Sequence, residues 1–174
     1  MTGTLVVVAG PPGVGKTTVA RQVADRVAGD VLRTDVVRKD LFDAPEYTDE
    51  EERRVYEELL SRAADVVEAG GAVVLDGTFY RRRYRRRAAT VAADAGASFD
   101  LLKVDCDSDV VRSRMAAREG DESDADFEIH MLYREQFEPI ERDHVAVDNS
   151  GDQGSTRRQL DRHFGTEAVT EEHA

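Results

Sequence analysis

Short apolar runs alternate along this chain with longer segments in which apolar residues recur at helical spacing. The short runs are typical of buried β-strands. They lie at Leu5–Ala9, Val31–Arg33, Ala72–Leu75, Phe99–Val104 and His144–Val147. The longer segments predict α-helices at Thr17–Ala28, Val36–Leu41, Thr48–Ala69, Tyr80–Ala95, Ser108–Arg118, Asp126–Phe137 and Thr156–Phe164. Because strands that alternate with helices form parallel sheets covered on both faces, we predict an α/β fold, a three-layer sandwich around a parallel five-stranded sheet.

Capping and breaker residues support these boundaries. Thr48 followed by Glu51 predicts a capping box, and Gly70-Gly71 predicts the end of the long third helix. No repeat or linker divides the chain, so we expect one domain over residues 1–165. The acidic residues 166–174 are expected to form a disordered tail.

The charge of the chain is strongly negative, with 36 acidic against 24 basic residues and a net charge of −12. A large net charge keeps a protein dispersed, and an acidic surface poor in lysine resembles that of salt-adapted, halophilic proteins. It argues against a general nucleic-acid-binding protein, which usually carries a basic domain. No apolar run reaches the length of a membrane span and no secretory leader is recognisable, so a cytoplasmic location is expected.

The first strand leads directly into a glycine-rich segment of the form G-x-x-x-x-G-K-[ST]. Glycines allow successive backbone N–H groups to turn inward around a polyphosphate, and the following helix contributes the positive end of its dipole. Lys16 is expected to contact the terminal phosphates and the Thr17 hydroxyl to bind Mg²⁺. The predicted nucleotide-binding residues are Gly10, Pro11, Pro12, Gly13, Val14, Gly15, Lys16, Thr17 and Thr18.

Polar residues follow the second and third strands, at the edge of the sheet where ligands of α/β proteins bind. Asp35 is predicted to accept a proton from an acceptor hydroxyl, and Arg38, one helical turn later, to hold an anionic part of that acceptor. The alternative makes Asp35 the N-cap of the next helix and Arg38 a surface charge. Asp76 is predicted to bind Mg²⁺ through water, the alternative being a simple Asp-Gly turn.

Two further groups of arginines are candidates for anion binding. Six arginines lie between Arg81 and Arg87, and we predict that Arg85 contacts the acceptor; the alternative for this run is a solvated face paired with acidic neighbours. Arg114 and Arg118 lie on one face of a helix that precedes a polar segment, and residues 112–130 predict a lid that excludes water. These two arginines would stabilise charge on the transferring phosphoryl group, unless they pair with nearby acidic residues.

With these motifs in place, the chain resembles the polynucleotide-kinase-like, or predicted-kinase, group of P-loop kinases, which includes AAA-domain, zeta-toxin-like and gluconate-kinase-like proteins. The resemblance runs from residue 4 to about residue 150 and is most specific in the phosphate loop. It implies a lid, the use of ATP with Mg²⁺, and a base at Asp35. It also implies an acceptor-phosphate contact at Arg38 and lid arginines at Arg114 and Arg118.

The function predicted from these residues is ATP-dependent transfer of the γ-phosphoryl group to an alcohol acceptor. Lys16, Asp35, Arg114 and Arg118 are the predicted catalytic residues. The acceptor is a small metabolite or the 5′-hydroxyl of a nucleotide or short oligonucleotide, and the protein is expected to be a monomer or small homo-oligomer. Two alternatives stay open: a nucleotide-dependent switch or ATPase that acts through a protein partner, and a toxin-like kinase of sugar nucleotides.

Overall fold

The predicted strands form one parallel sheet in the computed structural model, which describes residues 2–119 and 123–165. Their order across the sheet is β2-β3-β1-β4-β5. The strands are β1 (Thr4–Ala9), β2 (Asp30–Arg33), β3 (Ala72–Asp76), β4 (Ser98–Asp105) and β5 (Val145–Asp148). The predicted α/β fold with a five-stranded parallel sheet is therefore confirmed.

Seven helices connect and cover the strands in the described parts of the chain. They are α1 (Lys16–Val27), α2 (Thr34–Leu41), α3 (Asp49–Glu68), α4 (Arg82–Asp94), α5 (Ser108–Glu119), α6 (Ser123–Gln136) and α7 (Gln153–Phe164). Each lies within three residues of the predicted bounds. The predicted tail 166–174 lies outside the described residues, as do residues 120–122 between α5 and α6.

Strand β1 is the centre of the molecule, because alternate side chains point to opposite faces of a strand and both faces are covered. Leu5 and Val7 pack into a core with α3 and α4, whereas Val6 and Val8 pack into a second core with α1, α5 and α7. All four side chains are completely buried. A continuous apolar run, rather than an alternating one, is what such a central strand requires.

The predicted N-cap of α3 is confirmed, but its partner differs from a regular capping box. Thr48 Oγ1 accepts a hydrogen bond from the Glu51 backbone N–H at 3.2 Å. The Glu51 carboxylate does not return to Thr48; it accepts from the backbone N–H groups of Glu46 and Tyr47 and from Arg38. Glu51 therefore closes the loop that connects α2 to α3.

The strand order places the polar strand ends around one crevice. From β1 the chain crosses to β2 on one side of the sheet and later reaches β4 on the other, so that the carboxyl end of β1 lies at a topological switch point. Asp76, the last residue of β3, pairs in register with Val8 of β1 and with Arg33 of β2. The ends of these three strands form the floor of the candidate site.

Candidate functional site

The glycine-rich segment forms a tight loop between β1 and α1. Gly13 and Gly15 adopt φ angles of 88° and 93°, a left-handed conformation that side chains with a Cβ rarely adopt. A Cβ on Gly15 would also collide with the side-chain amide of Asn149. Gly15 is the N-cap residue of α1, so the free backbone N–H groups of the first helical turn lie at the end of this loop.

Lys16, Thr17 and Asp76 meet beneath this loop. The Lys16 ammonium donates to the Pro11 carbonyl at 3.0 Å, and the Thr17 hydroxyl donates to Asp76 Oδ2 at 2.7 Å. Asp76 is only 5% exposed. A hydroxyl and a carboxylate held side by side next to a phosphate loop are the hard oxygen donors that Mg²⁺ prefers, so these residues fit the metal of a Mg–nucleotide complex.

The electrostatic state of Lys16 follows from its position. Burial lowers the pKa of its ammonium group to about 8, and the negative charges of Asp76 and Asp35 oppose this effect. A triphosphate would add negative charge next to the ammonium and raise its pKa again. Nucleotide binding is therefore expected to be coupled to protonation of Lys16.

We expect the affinity for Mg·ATP to fall as the pH rises above about 8, because binding then takes up a proton. Above that pH the dissociation constant should rise roughly tenfold per pH unit until the pKa of the bound state is reached. Isothermal titration calorimetry in buffers of different ionisation enthalpy measures both the affinity and the proton uptake.

Lys16→Arg is the matched control, because a guanidinium stays protonated throughout this range. Its affinity, whatever its absolute value, should show no such slope. Equal slopes for the wild type and Lys16→Arg would contradict the assignment of the titration to Lys16.

A single cavity of about 890 Å³ connects the phosphate loop with the other predicted residues. Lys16, Thr17 and Asp76 line one part of it, and Asp35 lines another. From α5, Arg114 and Arg118 line the same cavity, and Asp126 and Ile129 of α6 complete that side. The structure thus brings together six of the nine predicted nucleotide-binding residues, the predicted base and both predicted lid arginines. Gly10, Pro11 and Val14 are not among the described residues that line this cavity.

Asp35 lies in the first turn of α2, with its side chain 71% exposed at the cavity. Its carboxylate lies 3.7 Å from the Arg33 guanidinium. The helix begins one residue earlier, at Thr34, and Arg33 occupies the N-cap position without a side-chain capping bond. The alternative in which Asp35 merely caps α2 is therefore wrong, whereas its role as a base stays a prediction.

Arg38 is engaged by an acidic partner. Its guanidinium forms a 3.0 Å ion pair with the buried Glu51 carboxylate and lies 4.7 Å from the centroid of the Tyr47 ring. Arg38 is not among the described residues that line the cavity. Contact between Arg38 and an anionic acceptor therefore stays a prediction, and it requires this ion pair to open.

The predicted acceptor contact of Arg85 is wrong, because Arg85 is a buried structural residue. It is 1% exposed and donates to the carbonyl oxygens of Phe79 at 2.7 Å, Glu138 at 2.8 Å and Pro139 at 3.1 Å. Burial lowers the pKa of its guanidinium below the ordinary value, and Glu138 opposes the shift. Arg85 thereby fastens the segment after α6 to the segment before α4.

The other arginines of this run mostly follow the alternative of a solvated, acid-paired face. Arg81 pairs with Glu52 at 3.0 Å, and Arg82 pairs with Glu141 at 3.3 Å. Arg83, Arg86 and Arg87 are exposed.

The two predicted lid arginines differ in how they are held. Arg114 donates to the Asn149 carbonyl at 2.8 Å and to the Gly151 carbonyl at 3.1 Å, so it is tied to the loop between β5 and α7. These backbone partners replace the acidic partners of the alternative interpretation. Arg118, one turn later, is exposed and lines the cavity. Arg118 is thus placed to approach a bound nucleotide from the α5 side.

Two residues that were not predicted from the sequence support the phosphate loop. Asn149 is 2% exposed; its amide donates to the Val14 carbonyl at 2.8 Å and its oxygen accepts from Thr156 Oγ1 at 2.7 Å. The buried His130 of α6 donates from Nδ1 to the Pro12 carbonyl at 2.7 Å, and burial lowers its pKa. Asn149 directly follows the fifth strand, and this position is the sequence feature that could have indicated its role. No feature of the sequence indicated the role of His130.

Comparison with known proteins agrees with this geometry. The family model described as an AAA domain, AAA_33, matches residues 5–140, and the chain therefore belongs to this family. A protein of Mycobacterium tuberculosis described as uncharacterized is 36% identical over 137 residues, a match that covers 72% of this chain and 28% of that protein. The chain thus spans less than a third of the length of this relative.

Solved structures of kinases share the fold. The adenylylsulfate (APS) kinase CysC of Mycobacterium tuberculosis, solved with AMPPNP and APS, aligns with a TM-score of 0.71 and 17% identity over 92% of this chain and 95% of that one. A gluconokinase of Sinorhizobium meliloti aligns with a TM-score of 0.67 and 19% identity over 90% and 89%. The protein has the fold of P-loop kinases, as the resemblance of its motifs implied. Among the described helices, none has the length and apolar character needed to cross a bilayer.

Proposed function

We propose that this protein is a kinase that uses Mg·ATP to phosphorylate an alcohol group on a small acceptor. The observation that carries the proposal is the cavity in which Lys16, Thr17 and Asp76 face Asp35. In-line phosphoryl transfer requires cations around the phosphates and a group that orients the attacking hydroxyl on the opposite side. A phosphate-binding site without transfer would need only the first of these.

Each residue has a definite task in this reaction. Asp35 accepts the proton of the acceptor hydroxyl while the oxygen forms its bond to the γ-phosphorus and the bond to the β–γ bridging oxygen breaks. Lys16 and Arg118 stabilise negative charge on the phosphate oxygens. Thr17 and Asp76 would hold Mg²⁺, which supplies neutralisation of phosphate charge when it is bound.

The charge of the protein favours a compact acceptor. The net charge of −12 disfavours a long nucleic acid, whose phosphates it would repel.

A screen with γ-labelled ATP and Mg²⁺ tests the proposal. Nucleosides, 5′-hydroxyl oligonucleotides, sugars, adenylylsulfate and hydroxyl-bearing antibiotics would each be offered at low and at high salt, because the acidic surface suggests adaptation to salt. We expect label to move to one class of hydroxyl compound and not to move with the Asp35→Asn variant. Steady hydrolysis with every acceptor rejected would overturn the proposal in favour of an ATPase or switch.

The wider setting is part of the same proposal. We assign the reaction to the cytoplasm, where ATP and Mg²⁺ are available, and to a single kinase domain over residues 1–165 with a lid at about residues 112–130. A monomer or small homo-oligomer suffices, because every proposed group is supplied by one chain.

A further inference from the structure

Arg33, the last residue of β2, lies between the two acidic groups of the site. Its Nε lies 3.4 Å from Asp76 Oδ2, and its Nη2 lies 3.7 Å from Asp35 Oδ2. The in-register pairing of Arg33 with Asp76 puts both side chains on the same edge of the sheet. The guanidinium lines the cavity together with Lys16 and Thr17.

The hydrogen-bonding capacity of Arg33 is largely unused in the described residues. Both distances to carboxylates exceed those of good charge-assisted hydrogen bonds, which are about 2.7–2.9 Å. Nε is buried and has no hydrogen-bond partner among the described residues. The side chain as a whole is 37% exposed, and it lines the cavity. A guanidinium that offers five N–H donors is therefore held in place with few acceptors.

Arg33 is also one of the cations of the cavity. Arg33 and Lys16 both carry positive charge and both line the cavity. Asp76 is shared with the Thr17 hydroxyl, which donates to the same Oδ2 atom. A phosphate that enters the cavity would bring negative charge to both cations.

The position of Arg33 indicates which phosphate of the nucleotide it would contact. Asp76 and Thr17 mark the metal side of the site, and Asp35 marks the acceptor side. In an in-line transfer the group that lies between the metal side and the attacking hydroxyl is the γ-phosphoryl group. The α- and β-phosphates belong to the loop and the start of α1.

We propose that Arg33 is a catalytic residue that binds the γ-phosphoryl oxygens from the floor of the cavity and stabilises them during transfer. The proposal rests on the proposed kinase function for its catalytic part, but its binding part concerns ATP alone. The acceptor oxygen bonds to phosphorus, its proton passes to Asp35, ADP departs with the electrons of the broken bond, and Arg33 neutralises the equatorial oxygens.

Affinities for Mg·ADP and for the Mg complex of β,γ-imido-ATP test this contact without any acceptor. For Arg33→Met we expect the β,γ-imido-ATP complex to bind about tenfold more weakly or worse, as for loss of a hydrogen bond to a charged group. Mg·ADP, which lacks the γ-phosphate, should bind within twofold of the wild type. Arg87→Met is the control, because Arg87 is an exposed arginine of α4 that does not line the cavity.

A second variant, Arg33→Lys, keeps one positive charge and should fall between the wild type and Arg33→Met for β,γ-imido-ATP. If thermal unfolding shows that Arg33→Met does not fold, the same two affinities are measured for Arg33→Lys instead. Equal weakening for both nucleotides would overturn the proposal in favour of a general role beside Asp76. Unchanged affinity for both nucleotides would show that Arg33 does not contact their phosphates.

The two proposals fail separately. If no hydroxyl compound accepts phosphate, the difference between the β,γ-imido-ATP and ADP affinities still tests the contact of Arg33. If the wild type transfers phosphate but Arg33→Met binds β,γ-imido-ATP and ADP with equally changed or unchanged affinity, only the role assigned to Arg33 is contradicted. Where transfer is measurable, kcat of Arg33→Met should drop about 10²-fold, as for removal of one preorganised donor.

Discussion

Asp35→Ala is expected to lose phosphoryl transfer by about two to four orders of magnitude, the range of general-base effects. The affinity for Mg·ATP should change little, because Asp35 is exposed at the acceptor side of the cavity and makes no hydrogen bond to the phosphate loop. Single-turnover transfer and calorimetric nucleotide binding measure the two quantities separately. The effect should therefore lie in kcat with the best acceptor.

Asp43→Asn is a suitable control, because Asp43 is an exposed carboxylate just beyond α2 and outside the cavity lining. It should leave both transfer and binding unchanged. If Asp35→Ala turned over a competent acceptor at the wild-type rate, Asp35 would not be the base, and the phosphotransferase mechanism would lose its acceptor side.

Arg85→Met is expected to lower the free energy of unfolding by about 3 kcal/mol, because each buried carbonyl left without a donor costs about 1–3 kcal/mol. The side chain of Arg85 donates to three carbonyl oxygens in a nearly solvent-free position. Methionine fills much of the same volume, so the loss reports mainly on hydrogen bonding. Urea denaturation followed by circular dichroism measures the difference.

Arg87→Met again serves as the comparison, since substitutions at exposed sites usually change stability by no more than about 0.5 kcal/mol. Arg85→Met should also bind Mg·ATP as the wild type does. If Arg85→Met were as stable as the wild type and had a raised KM for the acceptor, Arg85 would contact the substrate, as the sequence predicts.

The order and bounds of the elements were predictable because each depends on short-range information. Strand β1 is a continuous apolar run, and α3 carries its own N-cap in Thr48. The phosphate loop is equally local, since its glycine conformations and the start of α1 at Lys16 lie within a few residues. The position of Asp35 at the cavity followed from topology, which the alternation of elements had already indicated.

The partners of the arginines were not predictable, because every arginine presents the same charge pattern in sequence. Arg85 and Glu138 are 53 residues apart, and Asn149 reaches Val14 across 135 residues. Arg38 and Glu51 lie on different helices, and only the packing of α2 on α3 brings them together. Helical spacing indicates which face a side chain is on, but not which distant carbonyl it meets.

The sequence by itself determined the α/β architecture, the phosphate loop and the set of polar residues at the carboxyl edge of the sheet. Backbone conformation and apolar periodicity are local properties, and they carry that information within each segment. Only the tertiary structure decided that Arg85 is buried support, that Asn149 and His130 brace the phosphate loop, and that Arg33 stands between Asp35 and Asp76. The reason is physical: the environment of a polar side chain depends on which distant donors and acceptors folding brings within about 3 Å of it.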